Sequence, residues 1–470
     1  MSNIRTISPQ EMQAQKDYMD RVRALLHDEK PAFFMQTFGC QQNEADSERL
    51  TGMAEQMGYT VTDDPACADL ILINTCAVRE HAELKTLSIT GQFKHLKEKK
   101  PSLLIGICGC MVSQEHRQSD IKNKYPYVNF LFGTSQLYRF PEILYNAHLD
   151  KKRRFYANED EWTLAEGMPV HRESDFKAYI SIMYGCNNFC TYCVVPYVRG
   201  RERSRRREDI LAEARELAAS GYREITLLGQ NVNSYGKDLP DQGDFADLLA
   251  DVCAIEGDFT VRFMTSHPKD VSRKLIDTIA ANPKIARQFH LPLQSGSDRV
   301  LKAMNRHYDR RAYLDAVEYM RSVMPDIALS TDIIVGFPTE TEQEFEDTLD
   351  MLRTVRYDSI YSFIFSPRRG TKAAEMDGQI PEEVKSARFA RLLDTQNQIS
   401  LEKNQAYVGQ VIDVLVEGRS KTDDSRLTGR NERNRLVHFA GPDSLIGAHA
   451  RVRVLTAETY ALYGELAGND

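Results

Sequence analysis

Runs of five to seven mostly apolar residues alternate with longer amphipathic segments through the first third of the chain. Apolar runs of this length, rich in β-branched and aromatic residues, are typical of buried strands, and the segments between them are typical of helices. The predicted strands lie at 32–38, 69–74 and 103–107, and the predicted helices at 43–57 and 79–99. Strands that alternate with helices form a parallel sheet, so residues 31–149 are predicted to be an α/β domain.

The alternation continues in the middle of the chain, where six further apolar runs are separated by predicted helices. These runs lie at 179–183, 225–228, 261–264, 289–293, 329–335 and 360–365. Six strand–helix units in succession predict an incomplete (β/α)6 barrel over residues 176–403. In such a barrel the residues that carry the chemistry follow the carboxyl ends of the strands.

The last segment, 404–470, changes to short alternating strands separated by glycine-containing turns, which predicts a small β-barrel. Two segments lie outside these units. Residues 1–30 are predicted to be a polar, partly helical extension, and residues 150–175, which are charged and irregular, a linker. The predicted fold class is α/β, with a parallel α/β domain, a partial barrel and a C-terminal β-barrel.

Composition narrows the function without defining it. The 470 residues suffice for two to three domains, and the net charge of −8 requires any RNA contact to come from local patches. No apolar run approaches the roughly 18 residues of a membrane span, and the N-terminus does not resemble a secretory signal. Nine cysteines, an odd number, favour metal binding over disulfides, so a cytoplasmic protein is expected. Two of them, Cys67 and Cys253, are interpreted as buried packing residues.

Cys186, Cys190 and Cys193 form a C-x3-C-x2-C motif directly after the first predicted strand of the partial barrel. Three thiolates within eight residues can hold three irons of a [4Fe–4S] cluster, and no fourth cysteine lies nearby for the last iron. A structural zinc site would need a fourth ligand close by, and no histidine follows within the usual reach. A zinc knuckle, or a set of buried cysteines, is the alternative.

Three other cysteines, Cys40, Cys76 and Cys110, each follow the end of a different predicted strand of the first domain. Ligands of a parallel sheet bind outside the carboxyl ends of its strands, so these three are predicted to converge in space. They could hold a second cluster with an open iron. Cys108 could take the place of Cys110, and Cys110 is preferred because it lies on the turn beyond the strand.

A run of arginines follows the C-x3-C-x2-C motif, with six arginines among residues 199–207. Arginine favours bidentate contacts with phosphate, and clustered cations attract a polyanion, so this run is interpreted as an RNA-binding patch. The candidate contacts are Arg199, Arg201 and Arg203 in the run, with Arg430 and Arg433 in the basic loop 419–435 of the predicted β-barrel. In both segments a solvated charged surface is the alternative.

The C-x3-C-x2-C spacing resembles that of the radical S-adenosylmethionine (SAM) superfamily, in which the amino and carboxylate groups of SAM occupy the open iron. The resemblance makes polar residues after the later barrel strands candidate SAM contacts. The candidates are Gln230, Asn231, Ser266 and Gln294. For each of them alone, a capping or turn role is the alternative.

The three predicted domains together resemble the radical SAM methylthiotransferases, which carry an N-terminal cluster domain, a radical SAM core and a C-terminal TRAM domain. Residues 37–47 (TFGCQQNEADS) and 193–202 (CVVPYVRGRE) are similar to motifs of the branch that acts on isopentenylated adenosine in tRNA. The branch that modifies a ribosomal protein usually shows Gly-Cys-Pro-Lys-Asn at the first motif, and the branch acting on threonylcarbamoyladenosine shows Gly-Cys-Lys-Val-Asn. Two departures are small: Gln42 stands where methionine is common, and Thr339 where glycine is common.

The resemblance implies a tRNA methylthiotransferase with two [4Fe–4S] clusters. The cluster ligands would be Cys186, Cys190 and Cys193 for the radical SAM cluster and Cys40, Cys76 and Cys110 for the auxiliary cluster. One SAM would methylate a cluster-borne sulfur, and a second would give the 5′-deoxyadenosyl radical that activates C2 of an adenine next to the anticodon.

The expected partners are the tRNA anticodon stem-loop, a flavodoxin- or ferredoxin-like electron donor and cluster-assembly proteins, and the expected state is a monomer. The alternatives are a methylthiotransferase acting on threonylcarbamoyladenosine or on a ribosomal protein, and a non-catalytic iron–sulfur or zinc RNA-binding protein.

Overall fold

The computed structural model describes residues 3–27, 29–77, 80–150, 152–156 and 161–468. Within them the chain forms an α/β domain, a core of six parallel strands with helices, and a closed five-stranded barrel. The predicted fold class is confirmed. None of the described helices is long and apolar enough to cross a membrane.

The first domain contains one large parallel sheet with helices on both faces. Its strands are β1 (Asn3–Thr6), β2 (Ala32–Thr37), β3 (Thr60–Val61), β4 (Leu70–Thr75), β5 (Leu104–Gly109), β6 (Phe130–Phe132) and β7 (Arg154–Tyr156), and its helices are α1 (Pro9–Leu26), α2 (Gln41–Gln56), α3 (Glu80–Lys99), α4 (Glu115–Lys124) and α5 (Phe140–Leu149). The order in the sheet is β3-β2-β4-β5-β6-β7, and every pairing in it is parallel. The central strands β4 and β5 are fully buried, because helices cover both of their faces.

The N-terminal segment, predicted as a polar, partly helical extension over 1–30, contains helix α1, which packs on this domain. Helix α1 begins with a capping box between Ser8 and Glu11. Its buried residues follow the spacing of one helix face, and Met19, Val22 and Leu26 pack into the core of the domain. The helix contributes apolar surface that the sheet needs, which a free extension could not do.

The segment predicted as a linker, 150–175, also contributes strands. Strand β7 is the edge of the large sheet, and β8 (Glu161–Leu164) pairs in parallel with β1. Part of the acidic run that suggested a linker, Glu159-Asp160, lies outside the described residues. Beyond β8, His171 and Arg172 are bound to α2 through the Glu48 carbonyl and carboxylate, at 2.9 and 3.0 Å.

The core contains six parallel strands that alternate with helices, as predicted, and a separate two-stranded pair formed by its second and third strands. Its strands are β9 (Lys177–Ser181), β10 (Met183–Tyr184), β11 (Arg203–Ser204), β12 (Glu224–Leu228), β13 (Thr260–Met264), β14 (Gln288–His290), β15 (Ala328–Val335) and β16 (Ser359–Ile364), and its helices are α6 (Val195–Val198), α7 (Arg207–Ala219), α8 (Phe245–Ala254), α9 (Arg273–Ala281), α10 (Asp298–Ala303), α11 (Arg310–Val323), α12 (Glu342–Val355) and α13 (Glu382–Gln405). The parallel strands pair as β9-β12-β13 and β14-β15-β16, and a bridge between Val261 and Ile285 links the two halves. No pairing among the described residues joins β16 back to β9, so the barrel stays open on the side of the first domain.

The C-terminal segment closes into a barrel in the order β17-β18-β19-β21-β20. Its strands are β17 (Val411–Arg419), β18 (Leu427–Arg430), β19 (Leu436–Phe439), β20 (His449–Ala457) and β21 (Leu462–Leu466). Alternate residues such as Val414, Val437 and Val452 fill its interior. The barrel is attached to the core, because Arg435 pairs with Asp358 and Arg433 with Asp326.

Candidate functional site

Cys40, Cys76 and Cys110 lie at the carboxyl ends of three neighbouring strands. Cys40 caps the N-terminus of α2 directly after β2, Cys76 follows β4, and Cys110 follows β5. The backbone approaches closely here: a Cβ on Gly39 would lie 3.0 Å from the Cβ of Cys76, and one on Gly109 would lie 2.5 Å from the Thr75 carbonyl oxygen. The parallel sheet thus brings the three cysteines together as the strand order requires.

Two buried amides hold this set of cysteines in place. Asn43 donates to the side chain of Asn74 and to the Thr75 carbonyl, both at 3.1 Å, and Asn74 donates back to the Asn43 carbonyl at 2.8 Å. The thiol of Cys40 donates to Asn43 at 3.3 Å. Asn74 was not among the residues predicted from the sequence, although an asparagine at the end of an apolar strand, two residues before a cysteine, could have identified it.

The geometry favours Cys110 over Cys108 as the third ligand. Cys108 lies within β5 and packs among core residues such as Phe33 and Phe132, and burial raises the pKa of its thiol well above the ordinary value. Cys110 packs instead with Ala77, Val194 and Val198, on the side that faces the core domain. Burial raises its pKa to about 12, against the opposing effect of Arg199.

The two cysteines that belong to neither predicted site differ in burial. Cys253 is buried in the core, as expected. Cys67 is exposed, and its thiol donates to Asp64 at 3.3 Å, so its assignment as a packing residue was wrong.

Cys186, Cys190 and Cys193 lie on the loop between β10 and α6. Gly185 has φ of +77°, and a Cβ there would lie 2.1 Å from the Arg201 carbonyl oxygen, so only glycine fits. Burial raises the pKa of Cys186 to about 12. Thiolates that bind separate irons of a cluster stand farther apart than ligands of a single ion. In the part of the chain that the structure describes, no three His, Cys, Asp or Glu side chains are grouped to hold one metal ion.

Arg306 is a residue of this site that sequence reasoning missed. Its Nη1 lies 3.4 Å from the Sγ of Cys190, and its Nη2 donates to the Pro292 carbonyl at 2.9 Å. The neighbouring Asn305 donates to the carbonyls of Asn188 and Phe189, both at 3.0 Å, which fixes the loop. A buried arginine beside a thiolate neutralises part of the negative charge that a cluster would bring.

Buried polar atoms without partners line the ends of the neighbouring strands. They are Asn188 Oδ1 on the cysteine loop, Asn231 Oδ1 and both amide atoms of Asn233 after β12, and His267 Nε2 after β13. Buried polar groups normally have hydrogen-bond partners, so these unpartnered atoms at the strand ends suit a polar ligand such as SAM. Burial lowers the pKa of His267 far below its ordinary value, which keeps the ring neutral.

The four predicted SAM contacts lie at this end of the core, but they differ in whether their polar atoms already have hydrogen-bond partners. Gln230 accepts a hydrogen bond of 2.6 Å from the Gly185 amide, so it shapes the cysteine loop. Asn231 donates to Asp270 at 2.7 Å and keeps its oxygen free. Ser266 and Gln294 are buried at the ends of their strands, and Gln294 has φ of +72°.

The arginine run is mostly internal, which corrects two of the predicted RNA contacts. Arg199 is buried and donates to Cys110 at 3.1 Å and to Asp46 at 2.7 Å. Arg203 is buried too, and donates to the carbonyls of Arg199 and Thr163 at 2.7 and 3.0 Å. Arg201 is exposed.

In the barrel, Arg430 lies 3.6 Å from the carboxylate of Glu417, and Arg433 pairs with Asp326 of the core. Both side chains are half-buried. Arg433 therefore also attaches the barrel to the core.

A cleft of about 270 Å³ lies between the first domain and the core. It is lined by Ser113, Gln114, Glu115, His116, Val194, Tyr197, Val198, Arg369 and Gly370. Val194 and Val198 separate it from Cys110, with which they pack. Through these two valines the cleft adjoins Cys110, and it lies next to the segment that follows the second cysteine loop.

Three family models match the chain, one in each domain. The radical SAM superfamily matches residues 180–352, the uncharacterized protein family UPF0004 matches 32–133, and the TRAM domain matches 405–467. Among solved structures, the radical S-adenosylmethionine methyltransferase TsrM from Kitasatospora setae is similar in fold, with a TM-score of 0.55 and 12% identity. The similarity covers 74% of this chain and 77% of that one.

The curated relatives are much more similar in sequence. The tRNA-2-methylthio-N(6)-dimethylallyladenosine synthase of Alkaliphilus oremlandii is 51% identical over 98% of each chain. The enzyme of the same name from Acetivibrio thermocellus is 49% identical over 98% of this chain and 97% of its own. At this identity and coverage, the chain belongs to the family of tRNA-2-methylthio-N(6)-dimethylallyladenosine synthases.

Proposed function

We propose that this protein attaches a methylthio group to C2 of N6-(dimethylallyl)adenosine next to the anticodon of tRNA. The observation that carries the proposal is the joining of two three-cysteine sites at one interface. Arg199, six residues after Cys193, reaches Cys110 of the other site at 3.1 Å. The proposal includes two SAM per turnover, one as the methyl donor and one as the source of the 5′-deoxyadenosyl radical.

The residues present fit the groups that this reaction requires. Cys186, Cys190 and Cys193 would hold one [4Fe–4S] cluster, and Cys40, Cys76 and Cys110 the auxiliary one. With three thiolates each, both clusters would keep an open iron, one for SAM and one for the sulfur that is transferred. The unpartnered atoms of Asn188, Asn231, Asn233 and His267 would bind polar groups of SAM.

The chain itself orients the reactants and excludes water. Val194 and Val198 cover Cys110 and leave the cleft above it as the route for the substrate base. An adenine must leave its stack to enter, and an anticodon loop presents unpaired bases that can be splayed outward.

The TRAM barrel and the cleft would contact the RNA together. Arg201, Arg430 and Arg433 stay in the proposed interface as cations for phosphate, with Arg433 shared between this role and the core. Reductive cleavage of SAM takes an electron from outside, so the proposal includes a flavodoxin- or ferredoxin-like donor, with cluster-assembly proteins supplying the iron and sulfide. A cytoplasmic monomer is proposed.

An anaerobic assay with SAM and reductant tests the function directly. Three substrates are offered: an anticodon stem-loop with isopentenyladenosine, one with threonylcarbamoyladenosine, and a ribosomal-protein peptide. Mass spectrometry should find the methylthio group on the isopentenylated RNA alone. A methylthio group on another substrate would overturn the proposed substrate, and SAM cleavage without any methylthio product would overturn the reaction.

Cysteine variants separate the two sites in the same assay. Cys193→Ser should abolish SAM cleavage and product together. Cys110→Ser should keep SAM cleavage while no methylthio group reaches the RNA. Cys253→Ser, a buried cysteine of neither set, is the matched control and should behave as the wild type.

A further inference from the structure

An aromatic pair lies at the C-x3-C-x2-C motif, formed by half-buried Phe189 on the cysteine loop and exposed Tyr197 on α6. The rings of Phe189 and Tyr197 meet edge to face, with centroids 6.0 Å apart. The guanidinium carbon of Arg201 lies 4.2 Å from the centroid of the Phe189 ring. Tyr197 is 51% exposed, and Arg201 is exposed as well. Two aromatic rings and a planar cation thus form a continuous surface open to solvent.

The backbone holds this surface in place. Phe189 has φ of +48°, a left-handed conformation that a bulky residue rarely adopts without support, and Asn305 binds its carbonyl at 3.0 Å. Tyr197 lies on α6, whose Val198 carbonyl accepts a hydrogen bond of 2.6 Å from Thr134 of the first domain. The backbone that carries both rings is therefore held before any partner binds.

The charge of Arg201 is available, unlike that of its neighbours. Arg199, Arg203 and Arg205 are buried, and Arg206 and Arg207 pair with Asp209 and Asp251. Among the residues that the structure describes, no carboxylate pairs with Arg201. The run of six arginines therefore offers one cation without an internal partner within the described part of the chain.

The position of the pair relates it to the cleft. Tyr197 lines the cleft of about 270 Å³ together with His116 and Arg369 from neighbouring segments. Phe189 contacts Tyr197, and Arg201 lies over Phe189, so the surface adjoins the cleft without lining it. A chain whose base enters the cleft would lay its adjacent bases and phosphates against this surface.

We propose that Phe189, Tyr197 and Arg201 form a stacking platform for an unpaired base of the RNA loop, beside the base that enters the cleft. Single-stranded RNA is recognised by stacking of splayed bases on aromatic rings and on arginine planes, and the platform supplies both. Arg201 also supplies a cation for a neighbouring phosphate. This inference rests on the proposed function, because it identifies how that substrate is held.

Binding of the anticodon stem-loop to the cluster-loaded protein tests the platform. Tyr197→Ala should weaken the affinity about 5- to 150-fold, the usual cost of losing one stacked base, without changing the dependence on salt. Tyr197→Phe should restore the affinity, since the ring is kept. Arg201→Gln should weaken binding and reduce the slope of log affinity against log salt by about 0.7, the value for one phosphate of a single strand.

A second arginine–aromatic pair serves as the matched control. Arg273 lies 4.6 Å from the ring centroid of Tyr319, on the core helices α9 and α11, and does not line the cleft. Tyr319→Ala and Arg273→Gln should leave the affinity within about two-fold of the wild type. Iron content and the melting temperature of each variant exclude loss through unfolding.

Abasic RNAs identify the stacked base. Each loop position is replaced in turn by an abasic site, and every RNA is tested with the wild type and with Tyr197→Ala. At one position the two losses should not add, because the base and the ring belong to the same contact. Losses that add at every position would overturn the platform.

The outcomes also separate this inference from the proposed function. If the wild type binds and methylthiolates the stem-loop while Tyr197→Ala and Arg201→Gln bind as tightly, the platform is overturned and the function stands. If the wild type neither binds nor modifies the stem-loop, both are overturned.

Discussion

The Nε of Arg199 donates a hydrogen bond of 3.1 Å to the Sγ of Cys110, and its Nη2 binds Asp46 at 2.7 Å. Both arginine and cysteine are buried. The arginine follows one cysteine motif in the chain, whereas the cysteine belongs to the other site. Asp46 is in turn held by Gln42, which also donates to Ser181 of the core at 2.8 Å. The two domains are therefore joined by a polar network that ends on a candidate cluster ligand.

Removing the charge of Arg199 should change the auxiliary cluster. Hydrogen bonds and positive charge near the sulfurs stabilise the reduced, more negative cluster, so Arg199→Gln should lower its reduction potential. A redox titration followed by electron paramagnetic resonance measures this. A background in which Cys186, Cys190 and Cys193 are alanine leaves the auxiliary cluster as the only signal.

Arg205 provides the control for this change. It is equally buried in the same run but pairs with Glu166 and Glu213, and it has no cysteine contact. Arg205→Gln should destabilise the protein while the potential of the auxiliary cluster stays constant. A potential that is the same in the wild type and in Arg199→Gln would show that the hydrogen bond to Cys110 has no electronic role.

Arg306 should influence the SAM-cleaving cluster as Arg199 influences the auxiliary cluster. Its Nη1 lies 3.4 Å from the Sγ of Cys190, so Arg306→Gln removes a positive charge beside the SAM-cleaving cluster. We expect reductive cleavage of SAM without RNA to slow about 10- to 100-fold, the usual effect of losing a group that supports a metal ligand. Arg299→Gln, which breaks an exposed pair with Glu344, is the control and should cleave SAM at the wild-type rate. Equal rates for both variants would argue against the prediction.

Iron content tests whether Cys110, on the turn after β5, or Cys108, within β5, is the cluster ligand. Cys110→Ser should lose the iron of one cluster, because the thiolate at the strand end is removed. Cys108→Ser should keep both clusters, since that side chain packs in the core among aromatic residues. The opposite result would make Cys108 the ligand. Colorimetric iron and sulfide analysis after anaerobic reconstitution gives the measurement.

Glu213 should make the stability depend on acid pH. Burial alone would raise the pKa of Glu213, but Arg205, Arg49 and Arg172 outweigh it and lower the pKa from 4.5 to about 2. A carboxylate with a lowered pKa in the folded state stabilises the protein above its unfolded pKa, and this stabilisation is lost as the pH falls from 4.5 through 2.

The comparison with Glu213→Gln isolates this contribution. At pH 7 the variant should lose about 3 kcal/mol of unfolding free energy, because Arg205 and Arg172 each lose one of their two carboxylate partners. The difference from the wild type should shrink below pH 4.5. Urea unfolding followed by the emission of the single tryptophan, Trp162, measures both, and a difference that is constant from pH 7 to pH 2 would contradict the assignment.

Local patterns indicate which strand-end cysteines lie near one another, for a physical reason. An apolar run predicts a strand, and the alternation with helices makes the strands parallel, so residues after β2, β4 and β5 must share one edge of the sheet. Cys40, Cys76 and Cys110 could thus be grouped from sequence. The packing of the N-terminal helix on the domain could also have been predicted, since Met12, Met19, Val22 and Leu26 follow helical spacing.

The burial of the individual arginines in residues 199–207 could not be predicted from local sequence patterns. Along residues 199–207 every arginine has the same charge and similar neighbours in sequence, yet Arg199 and Arg203 are buried and Arg201 is exposed. Strand alternation does not explain the difference, because these three arginines are two residues apart and only Arg203 lies in β11 (Arg203–Ser204). Only the packing of the first domain against the core decides which of these side chains is buried and which faces water.

By itself the sequence determined the three domains of the chain, their fold class and the two sets of cysteines, because strand periodicity and motif spacing are local properties. The tertiary structure alone decided which arginine binds Cys110, which binds Cys190 and which remains on the surface near the cleft. Such contacts join residues about 90 to 150 positions apart, such as Arg199 with Asp46 and Cys110, and their energies depend on burial that no local pattern contains.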